Sequence, residues 1–329
     1  MSNITISEIA SQIVQRDNIL ILFHASPDGD AMGSASALLM GLRNLGKTAA
    51  LSCCDPVPKK FEYLFEKLEN PFWEENQFTP EYIISVDVAD INLLGTLKDK
   101  YRGKINLAID HHASHNDFAD IDYLDANRSA NAEIIFQLLQ NMNIDVTPDM
   151  ASAVYTGITT DTGCFRYRNT TADSHEAAAK LIKLGAAAGD INQRIFETKS
   201  RSQMEAEIKI LGSMEFFFDS RCAVIAITRA LMAETGLLEE EMDSFVSKPR
   251  EIDGTVIGIA LKERKDGGFK ISVRTNPPAN ASVIAAQLGG GGHAGAAGGT
   301  YNGNLEETKK AVLDVCGKYL EKLGKEFRL

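Results

Sequence analysis

The stretch Asn18-Ile-Leu-Ile-Leu-Phe-His24-Ala-Ser-Pro-Asp28-Gly-Asp30 decides the fold. Residues 18–24 form a nearly continuous apolar run, as a strand covered on both faces requires. Pro27 and Gly29 force an irregular loop. From Ala31 the period turns helical: Ala35, Leu38, Leu39, Leu42 and Leu45 share a face, and Gly46 is the stop. The alternation continues, with strands expected at residues 48–54, 82–87 and 104–110 and helices at 132–140, 149–160 and 174–184. Strand and helix in this order predict an α/β fold, a mainly parallel sheet covered by helices.

The chain has 329 residues, which suits two domains, because single cores stop growing near ~250–300 residues. The pattern changes around residues 186–212. The expected division is a first domain at 1–188, a helical connector at 189–213 and a smaller α/β domain at 214–329, with the active site in the cleft between the domains. The second domain carries strands at 223–228, 256–262 and 269–275, a helix-like segment at 283–288, seven glycines between Gly289 and Gly299, and a last helix at 305–323.

A composition of 44% hydrophobic and 24% charged residues excludes a disordered tail or a fibrous repeat. No apolar run approaches the ~18 residues of a membrane span, so no membrane partner is expected. The amino terminus shows neither a basic start nor a cleavage site, and a cytoplasmic protein without a signal peptide is expected. With 34 basic and 45 acidic side chains, net −11, the chain has no global attraction for long duplex DNA. Cys53, Cys54, Cys164, Cys222 and Cys316 contain no CxxC pair and read as buried small residues in a reducing compartment.

Two motifs are decoys. Gly41-Leu-Arg-Asn-Leu-Gly46-Lys47-Thr48 matches a phosphate-binding loop, but a helix precedes it and a strand follows, the reverse of what that loop needs. An ATPase is therefore rejected. Gly290, Gly292 and Gly295 fit a dinucleotide fingerprint but follow a helix-like segment instead of a strand.

The informative residues sit where strands end. His24, Asp28 and Asp30 follow the first strand; 82–87 ends at Asp87; 104–110 ends at Asp110, followed at once by His111 and His112. Asp161 comes near the end of a helix. Each alone reads as a loop or cap residue. Together they would crowd several carboxylates onto one sheet edge, which electrostatics disfavours unless cations neutralise them. Carboxylate and imidazole without thiolate suit Mn²⁺, with Mg²⁺, Co²⁺ or Fe²⁺ as alternatives. Six candidate ligands exceed one tetrahedral site and match two divalent ions. Such a pair makes hydroxide at neutral pH and clamps phosphoryl oxygens, so a phosphoester or phosphoanhydride hydrolase is expected. His115 reads as a loop residue in preference to a supporting one, and His175 as a surface residue at a helix start.

In the second domain, alternation along residues 269–275 puts Lys270, Ser272 and Arg274 on one strand face. The run Gly289 to Gly298 has almost no side chains except His293, and its alanines suggest a packed helix start. An anion or base pocket built from Gly290, Gly291 and Gly292 amides with His293 and Arg274, facing the metal site, is expected.

His24-x-x-x-Asp28-x-Asp30, Asp87, Asp110-His111-His112 and Gly157-Ile-Thr-Thr-Asp161-Thr-Gly163 resemble the four successive motifs of the DHH-type phosphoesterases. The glycine–histidine segment resembles their associated C-terminal domain, and the likeness is greatest to the oligoribonuclease (nanoRNase) and pAp phosphatase branch. The resemblance implies that His24 and Asp28 hold one Mn²⁺, that Asp30, His111 and Asp161 hold a second, and that Asp87 bridges them. It implies that Asp110 orients the histidines and that His112 contacts the scissile phosphate and protonates the leaving group. Arg274 and His293 would hold the substrate's other phosphate or base. Ser129-Ala-Asn131 and Asn276-Pro-Pro-Ala-Asn280 depart from the branch pattern and bear on substrate length and base preference. The implied activity is release of nucleoside monophosphates from short single-stranded RNA and conversion of pAp to AMP by an exonuclease-type hydrolase; the sequence leaves the oligomeric state open, a homodimer through the first domain being one candidate. A phosphodiesterase of cyclic dinucleotides or their linear dimers, an exopolyphosphatase and a nucleotide-binding regulator are the alternatives.

Overall fold

The computed structural model describes residues 4–327 and divides into two units, one up to Thr198 and one from Lys199 onward. Residues 1–3 and 328–329, the extreme ends of the two expected domains, lie outside the described residues.

The first unit contains α1 (Ile6–Val14), β1 (Ile19–Leu22), α2 (Gly29–Asn44), β2 (Ala49–Ser52), β3 (Tyr82–Val86), α3 (Lys98–Tyr101), β4 (Leu107–Asp110), β5 (Ile121–Leu124), α4 (Asn131–Asn141), α5 (Pro148–Asp161), α6 (Ala172–Lys183) and α7 (Ala188–Asn192). The five strands form a wholly parallel sheet in the order β2-β1-β3-β4-β5. Both faces are buried, which is why the strands read as apolar runs. Ile19, Ile21, Ile84, Val86, Leu107 and Ile109 face a core built with α1, α2, α4 and α5. Leu20, Leu22 and Ile83 face a thinner layer of Ile91, Leu94, Tyr101 and Ile105. β5, with its four half-buried residues, gave no apolar run and was not expected.

Strand order reverses beside β1, since the chain steps outward to β2 and then returns to β3 on the other flank. In open α/β sheets this switch point opens a crevice outside the strand carboxyl ends, where ligands gather. The loops after β1 and β3 carry His24, Asp28 and Asp87 to that crevice. α2 and α5 press together through glycines. A Cβ at Gly33 would stand 2.4 Å from the Ala153 carbonyl oxygen, and one at Gly157 2.4 Å from the Ala132 Cβ and 2.7 Å from Asp30 Oδ1. The order α2, Gly46, β2 also confirms that the Lys47 motif is a helix stop followed by a strand, with Gly46 left-handed at φ 75°.

The second unit contains α8 (Arg201–Gly212), β6 (Glu215–Phe217), β7 (Cys222–Ile227), α9 (Arg229–Thr235), β8 (Ile257–Glu263), β9 (Phe269–Thr275), α10 (Ala281–Ala286), β10 (Gly291–Gly292), β11 (Ala296–Tyr301) and α11 (Leu305–Phe327). Its six strands run β10-β11-β9-β8-β7-β6, with only β7 and β8 parallel. One expectation needs correction. The glycine–histidine segment is a β-hairpin, β10 and β11, and not a helix start: the backbone of β9 offers edge groups that pair with β11, and a tertiary ladder overrides the local alanines. On the face of β9 carrying Ser272, Ser272 is buried and neighbouring Ala260 belongs to a second core with Ile225, Ile227, Met232, and Ala206 and Ile210 of α8. The helix expected as a connector is thus packed onto this sheet, and the expected connector straddles the division at Thr198. The five cysteines are free thiols, but only Cys222 and Cys316 are buried; the other three are partly exposed. Among the described residues no helix is long and apolar enough to cross a membrane.

The α2–α5 contact carries a prediction. Gly157→Ala should destabilise the protein by about 1–3 kcal/mol, because the neighbouring helix and Asp30 must give way. Urea unfolding measures this, and a change below about 0.5 kcal/mol would show that the helices separate freely.

Candidate metal centre

β1 ends at Leu22, and the loop beyond it turns into α2 at Asp28, whose Oδ1 accepts the amides of Asp30 and Ala31, both at 3.0 Å. Asp28 is therefore a helix cap and a site residue at once. His24 Nδ1 donates to the Ala25 carbonyl at 2.8 Å, which turns Nε2 toward the carboxylates, 3.7 Å from Asp28 Oδ1 and 3.7 Å from Asp87 Oδ2. Asp87 follows β3 in the left-handed region at φ 58°, a strained conformation held by its amide's bond to the Ile109 carbonyl at 3.0 Å.

His111 repeats the arrangement. Its Nδ1 donates to the Arg128 carbonyl at 3.1 Å, and its Nε2 lies 3.6 Å from Asp87 Oδ1, 3.6 Å from Asp161 Oδ2 and 3.7 Å from Asp30 Oδ2. Asp87 thus turns one oxygen toward His24 and the other toward His111. His24–Asp28–Asp87 and Asp30–His111–Asp161 form two groups whose donor atoms lie within 4.8 Å of one another, and Asp87, His111 and His112 form a third. Separations near 3.6 Å are too long for hydrogen bonds and suit atoms that share a cation. His111 Nε2 and Asp87 Oδ1 are buried without a hydrogen-bond partner, which a native protein tolerates only where something else satisfies them. These clusters fit divalent metal.

The electrostatics agree. Burial, then Asp87, Asp161 and Asp28, hold the Asp30 carboxyl well above its ordinary value, although the amides of Asn131 (2.6 Å) and Ala132 (2.9 Å) at the start of α4 point at it. Asp161 ends α5, where the helix field opposes negative charge, and burial with Asp28 and Asp87 pushes it up to about 8. Burial would depress His24, but Asp28 and Asp87 outweigh it and raise the imidazole to about 11. His112, partly desolvated but paired with Asp110, is raised to about 9. Asp28 is lowered, His24 and the α2 amides overcoming the cost of its partial desolvation. Asp110 is lowered by His112 and His115 against its own burial.

His115 corrects the sequence reading. Its side chain is 1% exposed and lies between two carboxylates, Nδ1 2.7 Å from Asp110 Oδ2 and Nε2 2.9 Å from Asp122 Oδ1. Nothing in the sequence pointed to Asp122, because β5 itself was not foreseen. His175 is exposed near the start of α6, as expected, and stacks on Phe165. In the second unit, Arg274 on β9 lies opposite Ala296, which closes the turn opened by exposed His293 through a 2.8 Å bond between the His293 amide and the Ala296 carbonyl. A Cβ at Gly290 would meet the Gly298 carbonyl at 2.0 Å, so glycine is required there. The Gly290 amide donates to the Ala285 carbonyl at 2.9 Å, and Gly291 and Gly292 pair with Gly298 and Ala297.

The DHH family N-terminal domain matches residues 18–158 and the DHHA1 domain residues 223–322. The chain is 31% identical, over 93% of its length and 91% of the relative's, to the bifunctional oligoribonuclease and PAP phosphatase NrnA of Thermus thermophilus. The chain belongs to the DHH family, in its oligoribonuclease and PAP phosphatase branch. Membership in this family of phosphoesterases makes it a hydrolase. The same two-domain DHH fold is seen in an exopolyphosphatase-related protein from Bacteroides fragilis, with a TM-score of 0.88, 24% identity and full coverage of both chains. RecJ from Thermus thermophilus in complex with Mn²⁺ shares the fold more distantly, with a TM-score of 0.57, 15% identity, and 96% of this chain but 54% of RecJ covered.

The charges of this DHH centre predict its pH behaviour without metal. Asp30 and Asp161 keep protons that the unfolded chain releases near the ordinary aspartate value. The stability they lend is complete at acid pH and is lost as pH climbs toward about 8 at Asp161. His24 and His112 act in the same sense, their contribution fading above the ordinary histidine value toward about 11 and about 9. Asp28 and Asp110, being lowered, lose stabilisation only in strong acid. The melting temperature of chelated protein should therefore fall as pH rises from about 6 to about 8. Adding Mn²⁺ near neutrality should release protons, detected calorimetrically as a heat that varies with the buffer's ionisation enthalpy. A rising melting temperature, or binding heat independent of buffer, would contradict the assigned charges.

Proposed function

We propose that the chain is a two-Mn²⁺ phosphoesterase that releases nucleoside monophosphates from very short single-stranded RNA and converts pAp to AMP. The observation that carries the reading is the pair of His–Asp clusters linked by Asp87, whose two oxygens face His24 and His111, in a chain 31% identical to a named oligoribonuclease and PAP phosphatase. His24 and Asp28 would hold one ion, Asp30, His111 and Asp161 the other, and Asp87 both. When bound, such a pair supplies hydroxide at neutral pH and neutralises the oxygens of a phosphate undergoing in-line displacement.

The protein's own groups do the rest. Asp110 Oδ1 accepts a hydrogen bond from His112 Nδ1–H at 2.8 Å, which fixes the ring and leaves Nε2–H to meet the phosphate and protonate the departing ribose oxygen. His112, at 37% exposed, is open enough to reach substrate. The carbonyls of Ala25 and Arg128 lock the tautomers of His24 and His111. Arg274 and His293, with the Gly290–Gly292 segment leading into the His293 turn, would bind the substrate's second phosphate or its base, so that nucleotides gain affinity that a minimal phosphodiester does not.

Mass spectrometry of products from a defined trinucleotide, repeated after chelation and after Mn²⁺ is restored, tests the activity; the same assay on a cyclic dinucleotide, pAp and polyphosphate separates it from its rivals. Asp161→Asn and His111→Ala should each lower kcat/KM by about 100-fold or more with the circular dichroism spectrum retained. Unchanged turnover would refute the centre. His293→Ala should raise KM for a dinucleotide about tenfold, the worth of one lost charged hydrogen bond, while leaving bis-p-nitrophenyl phosphate hydrolysis nearly unchanged. Equal losses on both substrates would remove His293 from substrate binding.

A further inference from the structure

Asp110 is wholly buried and carries its load unevenly. Its Oδ1 accepts His112 Nδ1 at 2.8 Å, the His111 amide at 2.8 Å and the His112 amide at 3.3 Å. Its Oδ2 accepts His115 Nδ1 at 2.7 Å. A carboxylate fixed through one oxygen can swing about its Cβ–Cγ bond, and the second contact removes that freedom. His115 is anchored in turn by Asp122 on β5, whose Oδ1 accepts His115 Nε2 at 2.9 Å and the Phe118 amide at 3.3 Å. Carboxylates only accept here, so both ring nitrogens of His115 donate and the ring is a cation between two anions. The third charged neighbour is exposed Asp117.

A buried cation held between a buried and a partly buried carboxylate is an expensive way to fill space, since an apolar side chain of similar volume would cost less. What this arrangement does that an apolar residue cannot is hold the plane of Asp110, and through it the ring of His112. We propose that His115, braced by Asp122, is a positioning residue: the chain Asp122–His115–Asp110–His112 aims His112 Nε2 at the leaving oxygen. The proposal rests on the two-metal reading above, in which His112 protonates that oxygen.

The leaving group separates positioning from mere packing. A ribose hydroxyl departs only with a proton, whereas p-nitrophenolate departs without one. His115→Leu should lower kcat on a dinucleotide about 10–100-fold, with KM and Mn²⁺ affinity held, and change bis-p-nitrophenyl phosphate hydrolysis less than about threefold. His115→Asn, whose amide nitrogen stands where Nδ1 stands, should recover most of the loss. Asp122→Asn should give a smaller loss with the same leaving-group signature. An unchanged dinucleotide rate in His115→Leu, or equal loss on both substrates with no recovery in His115→Asn, overturns the proposal. If His115→Leu does not fold, Asp122→Asn decides: an unchanged ratio of the two rates overturns it. Wild-type protein inactive on both substrates with Mn²⁺ overturns the proposed function and this inference with it, whereas an active wild type indifferent to these substitutions overturns the inference alone.

Discussion

Carboxylates brought together at one end of a sheet repel, and the first unit is arranged around that repulsion. Asp28 is relieved by the amides that open α2, and Asp30 by two amides that open α4. Asp87 and Asp161 receive no such help: one oxygen of Asp87 is buried without a hydrogen-bond partner, and Asp161 stands at the wrong end of α5 for a negative charge. Helix amides thus stabilise Asp28 and offset only part of the burden on Asp30, and the rest demands cations. The strained backbone at Asp87 and the protons held by Asp30 and Asp161 in the absence of metal are two faces of the same deficit.

The fold makes this crowding possible because of where the chain reverses. β1 and β3 are neighbours although β2 lies between them in sequence, so two loops open side by side with no strand crossover above them. Glycines at 33 and 157 let α2 and α5 close to backbone distance, which seats Asp30 against α4 and Asp161 at the same crevice. Larger residues would hold these helices apart and pull the two aspartates away from His111. Packing and chemistry are one requirement here.

The second unit shows a different balance between local and distant forces. Seven glycines and alanines around His293 have no intrinsic preference for a strand, and alanine favours a helix. The segment nevertheless pairs with β9, residue by residue from Ala296 opposite Arg274 to Tyr301 opposite Phe269. The absence of side chains lets Gly290 sit on the Gly298 carbonyl and lets the turn at His293 close tightly. The local preference was outweighed by edge hydrogen bonds that only a folded sheet offers.

By itself the sequence determined the parallel character of the sheet, four of its five strands, and the His and Asp residues that sit at strand ends, because apolar period and strand termini are local properties of the chain. Its decoy at Lys47 was also resolved locally, by the helix before it and the strand after it. Tertiary structure alone decided which oxygen of Asp87 faces which histidine, that Gly157 is required by the Asp30 side chain, and that His115 joins Asp110 to Asp122. Those relations depend on β4 and β5 lying side by side and on two helices touching. Contact between residues that are distant in sequence is a consequence of register and packing, which no single segment encodes.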